Sequence, residues 1–569
     1  MTSPESVTTT AARSCAEQAA RTRLLNTYLR ESGTTLGTTC DDLGRIQLPA
    51  TGSAVVIAVR HRSVFGHHEY GNQVWLEQPD RRRVPVDHDD VVRLLLDEVQ
   101  ALAAKEFAQA SDGADRKREL AERIESSVAA TSRYLRHRRP CPADPYGMSR
   151  HAEQSLVFGH PFHPTPKSTQ GFGDDLERYA PELGAAFVPH WFAVNRRILL
   201  ERRVAPGSWT PAPVTAAARQ MLGAEQDHAL LPAHPWQAEY LLSKPRVAQL
   251  VGDGLLVALG ALGPEVYPTS SVRTVCDPAF PTFFKLPLHV RITNFIRNNP
   301  VPHVLRATDA GVLVTDLAPG WDHPGFSVLV ETGFRTVDPA VIGDDLAAEF
   351  SVLYRENPFT DGAAAPRVLA GLLENRDGDV PDLIHEIRRC APYPDAVSGA
   401  DHVAKWLRRY LSISLLPLLE IFDRDGVSFE AHVQNSLLHT DGGWPVRYWV
   451  RDMEGTSVSR QRLRPGTVVP PDSPLLYDHD EAWLRLRYNA VTNHLGHLIS
   501  VVGRYTDADE PLLWRVARQS LATSRADTAA DLLERPVLPA KANLISRFAG
   551  RGESPVYVDV PNLLFEVSP

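Results

Sequence analysis

From Phe284 to Thr293 apolar and polar positions alternate without a break. Phe284, Leu286, Leu288, Val290 and Ile292 fall on one side, and Lys285, Pro287, His289, Arg291 and Thr293 on the other. A period of two predicts a half-buried strand, and Pro287, which has no N–H to give a ladder, predicts a bulge or an edge. Ser270 to Val275 reads as its partner, with Asp277-Pro278 and Pro281 in the turn. The hairpin would set Ser271, Arg273, Lys285 and Arg291 on a shared face, with Arg297 just beyond it. The helical period appears over 12–31, over 91–110 behind an Asp89-Asp90 cap, over about 114–138, over about 402–423 with a kink at Pro417, and from Glu481 onward. Short strands are predicted at 53–60, 73–77 and at the terminal PVYVDVP. Proline-rich RPCPADPYG (139–147) and APYPDAVSGA (391–400) predict linkers. They divide the chain into a mostly helical region 1–140, a sheet-bearing region 141–392 and a largely helical region 393–569.

Composition narrows the classes. At 569 residues the chain exceeds one core. A net charge of -9 argues against nucleic-acid binding. No stretch reads as a membrane span, and the first residues lack the apolar core of a secretory signal, so a cytoplasmic protein is expected. The five cysteines are scattered and match neither a disulfide framework nor a zinc pattern.

Three stretches carry chemistry. The central hairpin face bears cations without a carboxylate among them, which suits a triphosphate, a polycarboxylate, or both; an edge strand defended by charge is the plainer alternative. In GHPFHPTPKSTQGF (159–172) prolines follow His160 and His163, so both imidazoles and Lys167 project from a stiff loop. That loop reads equally as a carboxylate-binding element or as a proline-rich connector; zinc is disfavoured because no further ligand has a familiar spacing. HPWQ (234–237) repeats the signal weakly. In 427–455, Glu430, His432 and Gln434 alternate with Phe429, Ala431 and Val433, Asp441-Gly442-Gly443 predicts a hairpin turn, and the return ends at RDMEG. Asn435 and Asp452, with Glu430 and Glu454 nearby, then suit Mg²⁺ held together with phosphates, as in the loops of kinases; satisfied turn carboxylates are the alternative. P-loop, dinucleotide and GxSxG motifs are absent. Binders for phosphate and carboxylate without a nucleophile fit activation of a carboxylate by ATP.

In their order and spacing, GHPFHPTPKSTQGF, HPWQ, PTSSVRTV, KLPLHVRITNFIRNNP, EAHVQNSLL, RDMEG and LPAKANLISRF resemble the IucA/IucC family of siderophore synthetases, which work without a nonribosomal peptide synthetase. The resemblance covers most of the chain after about residue 145. It implies an α+β, three-part cupped hand: helical thumb, antiparallel-sheet fingers and a mostly helical, kinase-like palm. It also implies acyl-adenylate formation from ATP and a carboxylic acid, then attack by an amine or alcohol. On that resemblance Ser270, Ser271, Arg273, Thr274, Lys285, Arg297, Gln434 and Asn435 would hold the nucleotide. Glu430, Asn435, Asp452 and Glu454 would hold Mg²⁺. His160, His163, Lys167, Thr293, Arg297, His432 and Lys541 would hold the acid, with Lys285, Arg297 and His432 nearest the chemistry. Thr169-Gln170 departs from the basic residue expected after Lys-Ser. VRITNFIRNN is closer to the citrate-activating branch, and a homodimer is the expected assembly. A citryl or succinyl intermediate or α-ketoglutarate as substrate, a kinase-like phosphotransferase, and a non-catalytic polycarboxylate binder are the competing expectations.

Overall fold

The structure, a computed structural model, describes residues 8–106, 113–137, 139–223, 227–293, 295–361, 364–375, 380–391, 399–551 and 556–566. Thr9–Ser32 forms the first helix, capped by the Thr8 side chain and closed by Gly33 at φ 67°. His88–Glu106 and Gly113–Leu135 are the other two long helices of this region; residues 107–110 of the predicted second helix lie outside the described residues. Between the first and second helices the chain makes a five-stranded sheet, in chain order, from Gly37–Thr38 to Arg83–Pro85. The sequence predicts only two strands here. The missed ones are two to five residues long, too short for a period to register.

The long alternating strand is two strands in two sheets. Thr282–Lys285 lies third in a six-stranded sheet, between Thr274–Cys276 and Val352–Glu356. Leu288–Ile292 belongs to a separate three-stranded sheet, between Phe295–Arg297 and Thr169–Gln170. The chain changes sheet at Leu286-Pro287, where proline ends the ladder, and the register shifts again between Leu288 and Arg291. The apolar side survives, since Phe284, Leu286, Leu288, Val290 and Ile292 are all buried in one core, but burial alternates only over Leu288–Ile292, and Lys285 is buried as well. The polar face does not: His289 pairs with Glu349 and stacks on Tyr240, away from Lys285. The partner strand also differs. Only Thr274–Cys276 pairs with Thr282–Lys285, and 269–273 is a tight turn with Val272 at φ 68°.

A second core draws together the helix Val301–Leu317, residues of 368–390 and most of the chain beyond 400. The predicted 402–423 helix is two helices, Ala400–Ile413 and Leu415–Asp425, and the break is at Ser414 rather than at Pro417. Pro417 sits in the first turn of the second helix, where a missing N–H costs nothing. Its ring would clash with the carbonyl four residues earlier, on Ile413, so the helix interrupts there. Residues 392–398 of the second predicted linker lie outside the described residues. The hairpin Ser436–Asp441/Trp444–Val450 turns through Gly442 and Gly443, at φ 52° and 89°, as predicted. Phe429 to Asn435, however, is a looped turn and not a strand, with the His432 N–H donating to Glu430 O and the Asn435 N–H to His432 O.

Gly371 lets the helix Leu369–Leu373 press against Pro145–Gln154: a Cβ there would lie 2.2 Å from the Ala152 carbonyl oxygen. Gly371→Ala should therefore lower unfolding free energy by about 1–3 kcal/mol. Urea denaturation with an unchanged midpoint would show that the two helices can separate without cost.

Candidate active site

The register of the six-stranded sheet gathers three charges on one face. Glu331 stands opposite Arg355, and Arg355 opposite Phe283, two residues from Lys285. All three are buried, Lys285 at 4% exposure and Glu331 at 0%. Arg355 Nη2 lies 2.7 Å from Glu331 Oε1, and the other Glu331 oxygen accepts the Met453 N–H. Lys285 Nζ donates to Asp452 Oδ1 at 2.7 Å and to Glu454 Oε2 at 3.0 Å. The sheet and the segment that follows the Ser436–Val450 hairpin are thus joined by ion pairs. Although burial alone would raise it, the Asp452 carboxyl is held down to about 2 by Lys285 and Arg355. The Lys285 ammonium likewise holds Glu454 well below the usual carboxylate range.

This joint borders a cavity of about 410 Å³ between the sheet, the 159–172 loop and the palm. Its lining includes His160, His163, Lys167, Ser270, Ser271, Arg273, Lys285, Thr293, Arg297, Glu430, His432, Gln434, Asn435, Asp452 and Lys541. Of the residues that the resemblance assigns to the site, Thr274 and Glu454 are not in the lining, and of the cationic face His289 and Arg291 are not either. Thr274 is buried in its strand, and Glu454 touches the cavity only through Lys285.

Several of the lining groups are already engaged. Arg273 Nη1 donates to the Arg297 and Asn298 carbonyls and to the Asn299 side chain, so it braces the 297–299 backbone. Lys167 Nζ is paired with Glu182 at 2.6 Å. Ser270 gives its N–H to Glu153, and Gln434 donates to the Ser270 carbonyl. Ser271 Oγ accepts the Thr274 N–H. Arg297 Nη2 donates to Thr293 Oγ1 at 2.8 Å, and burial pulls its guanidinium down to about 10. Lys541 ends its strand with Nζ 5.0 Å from the centre of the Tyr488 ring. The excess of positive charge is therefore smaller than the sequence implies.

The histidine motifs share one device. The Nδ1 atoms of His160, His163 and His234 accept the N–H two residues on, at Phe162, Thr165 and Trp236; His432 Nδ1 does the same with Gln434. With Nδ1 an acceptor, the neutral ring carries its proton on Nε2, so His160 and His432 present N–H donors to the cavity. His234 caps a helix inside an aromatic cluster instead, and HPWQ is structural. Burial lowers His432 and carries His160 well below the ordinary histidine value.

Backbone strain collects here. Five non-glycine residues among those described have positive φ, and three of them, Val272, Thr293 and Asp452, line the cavity. Each such conformation costs on the order of 1–3 kcal/mol and persists only where its surroundings enforce it. The donors for a hard cation also fit. Glu430, Asn435 and Asp452 offer carboxylate and amide oxygens, and among the described residues the Glu430 carboxylate has no hydrogen-bond partner. Gly455 leaves room for it, since a Cβ there would lie 2.2 Å from Glu430 Oε2. One group with metal-ligand types, Cys141, His151 and Asp382, lies outside this lining.

Sequence reasoning missed the floor of the cavity. Tyr488, Asn489, Asn493 and His497 come from a π-helical segment, Arg487–Leu495, and the helix that continues it. Polar residues four apart, at 489, 493 and 497, were the available signal. Asn489 Oδ1 and His497 Nδ1 are buried there without partners.

The imidazoles give a stability prediction. Burial lowers His497 and His234 to about 3 and His494 to about 4, so the unfolded chain binds protons that the folded chain does not once pH drops below the unfolded value of about 6.5. The histidine contribution should be level above about pH 6.5 and fall below it, by up to about 1.4 kcal/mol per pH unit for each such histidine. One carboxyl opposes it: burial pushes Glu31 up to about 8, which costs stability as pH rises toward that value. The ion-paired carboxylates add their own loss only below about pH 4. A denaturation midpoint unchanged down to about pH 5 would mean the rings are charged in the folded state.

Comparison with known proteins places this geometry. The IucA / IucC family model matches residues 149–374, and a second model, described as ferric iron reductase FhuF-like transporter, matches 404–556. No described helix is long and apolar enough to cross a membrane. An L-2,3-diaminopropanoate–citrate ligase of Staphylococcus aureus is 35% identical over 96% of both chains. The rhizobactin siderophore biosynthesis protein RhbC of Rhizobium meliloti is 30% identical over 92% of both, and a spermidine-citrate ligase of Bacillus anthracis 28% identical over 97% of this chain and 98% of its own. Among solved structures, ATP-bound aerobactin synthetase IucA of Klebsiella pneumoniae superimposes with a TM-score of 0.81 at 24% identity, over 96% of this chain and 99% of that one. That likeness bears out the α+β fold, and the relatedness to the Staphylococcus ligase over 96% of both chains shows the family: the chain belongs to the IucA/IucC family.

Proposed function

We propose that this protein is an ATP-dependent siderophore synthetase that condenses citrate with an amine or alcohol. The observation that carries this reading is the alignment along 96% of the chain with a citrate ligase, matched by a cavity that offers both cations and neutral N–H donors. In this reading a citrate carboxylate oxygen attacks the α-phosphorus of ATP, the bond to pyrophosphate breaks, and a citryl adenylate forms. The amine nitrogen or alcohol oxygen then bonds to the acyl carbon, AMP leaves, and the nucleophile gives up a proton.

Each residue role follows from position. His160 and His432 present Nε2–H groups, and Lys541 an ammonium, to the carboxylates of the acid. Burial disfavours the charged form of both rings, so they serve as hydrogen-bond donors and the charge attraction falls to the cations. Arg297, oriented by Thr293, offers a guanidinium fork between acid and nucleotide. Lys285 is a compact charge for the α-phosphate, and it reaches a phosphate only by loosening from Asp452 and Glu454. Mg²⁺, when bound, would be held by Glu430, Asn435 and Asp452, and it supplies neutralisation of the phosphate charge. A cation at those carboxylates and a lysine moving to the phosphate are mutually consistent, because each replaces the charge the other gives up. Charge fixed where it develops stabilises the transition state more than the ground state.

Hydroxylamine trapping across a panel of acids tests the substrate. Citrate should give a hydroxamate with pyrophosphate release, while monocarboxylates fail because they leave buried donors unpaired, at about 1–3 kcal/mol each. Turnover with α-ketoglutarate or a citryl monoamide but not citrate would assign another acid. Release of ADP would point to a phosphotransferase.

Arg297→Lys tests the fork. Keeping the charge but losing the bidentate geometry should lower the pyrophosphate release rate by about tenfold or more. A rate near that of the wild type would mean that only net charge matters at this position.

A further inference from the structure

Beside the active-site cavity lies a second one, of about 310 Å³, whose character is set by arginine. Among the described residues Arg116, Arg123, Arg291, Arg547 and Arg551 line it, against a single carboxylate, Glu119, which is already ion-paired with Arg123; Arg291 and Arg551 have partners of their own. Arg123 is 8% exposed, and its Nε is buried without a hydrogen-bond partner. Burial, reinforced by the nearby Arg123 and Arg291, pulls the Arg547 guanidinium down to about 10. Guanidinium groups gathered around one cavity, Arg123 buried and Arg116, Arg291 and Arg547 half-buried, repel one another unless an anion joins them.

Two contacts link this cavity to the first. Asn543 lines both. Thr293 stands between them: its hydroxyl takes Arg297 from the active-site side, and its carbonyl takes Arg547 from the other, at 2.7 Å. The alternation in the sequence puts Arg291 on one face with Lys285, but the change of sheet at Pro287 and the register shift after Leu288 deliver it here.

We propose that the arginine cavity holds a carboxylate of the incoming nucleophile, so that the natural partner is an amino acid and not a plain polyamine. This rests on the citrate reading above. The triphosphate and citrate account for the cations of the first cavity, which leaves the amine or alcohol as the reactant without an assigned place. A guanidinium fork matches a carboxylate in shape and charge. An amino acid anchored there would extend its free amine or hydroxyl past Thr293 and Asn543 toward the acyl carbon.

The test compares amino acids with their decarboxylated counterparts as partners for citrate: L-2,3-diaminopropanoate with ethane-1,2-diamine, L-lysine with pentane-1,5-diamine, and L-serine with ethanolamine. Product formation is followed for the wild type, for Arg116→Gln, and for Arg116→Gln combined with Arg123→Gln. The single variant, at a half-exposed position, keeps the test valid should the double variant fold poorly. The wild type should prefer the carboxylated member of at least one pair. The variants should lose about tenfold or more in kcat/KM for that member, mainly through KM, and less than about twofold for its counterpart. Equal losses on both members would overturn the proposal. So would a wild type that accepts no carboxylated partner, or one with no preference within any pair. A raised KM for citrate in pyrophosphate release would overturn it as well, by giving the arginines to the acid. If the wild type releases no pyrophosphate with citrate, the citrate reading itself fails, and this result is distinct from all the others.

Discussion

The site depends on Lys285 being buried between Asp452 and Glu454. Removing an ammonium from water is expensive, and the cost is met here only because two carboxylates from another part of the fold close on it. Arg355 and Glu331 extend the same network beneath Asp452. The sheet and the segment that follows the Ser436–Val450 hairpin therefore cannot drift apart without exposing unpaired charges. The cavity between them inherits its shape from that constraint.

The same network explains why strain is tolerated nearby. Asp452 is held in a left-handed conformation by its partners, and this conformation turns its carboxylate toward Lys285. Thr293, likewise at positive φ, presents its hydroxyl to one arginine and its carbonyl to another. Strain at these positions aims side chains.

Much of this was legible in the sequence, in a particular way. The stiff His-Pro loop, the Gly442-Gly443 turn and the apolar face from Phe284 to Ile292 follow from local rules, and the structure keeps them. What local rules could not supply was partnership. Lys285, Asp452 and Glu454 are recognisable as charged candidates, but nothing within either segment says that they meet. Lys167 looked free because Glu182 is fifteen residues away around a bend. His289 and Arg291 looked like neighbours of Lys285 because the alternation continues through Pro287, yet that proline sends the chain into a different sheet. Ser270 to Val275 has strand propensity, but Val272 adopts a left-handed conformation, and tertiary contacts override propensity there. The π-helical floor went unread because a period slightly wider than 3.6 still looks helical.

The central claim is that these charges converge on the bond between citrate and the α-phosphorus of ATP. Transfer of oxygen tests it most directly. With citrate labelled by ¹⁸O in its carboxylates, condensation should place one labelled oxygen in the phosphate of AMP, read as an isotope shift by phosphorus NMR. Unlabelled AMP, or label found instead in inorganic phosphate alongside ADP, would contradict an adenylate and the arrangement of Lys285 and Arg297 argued from it.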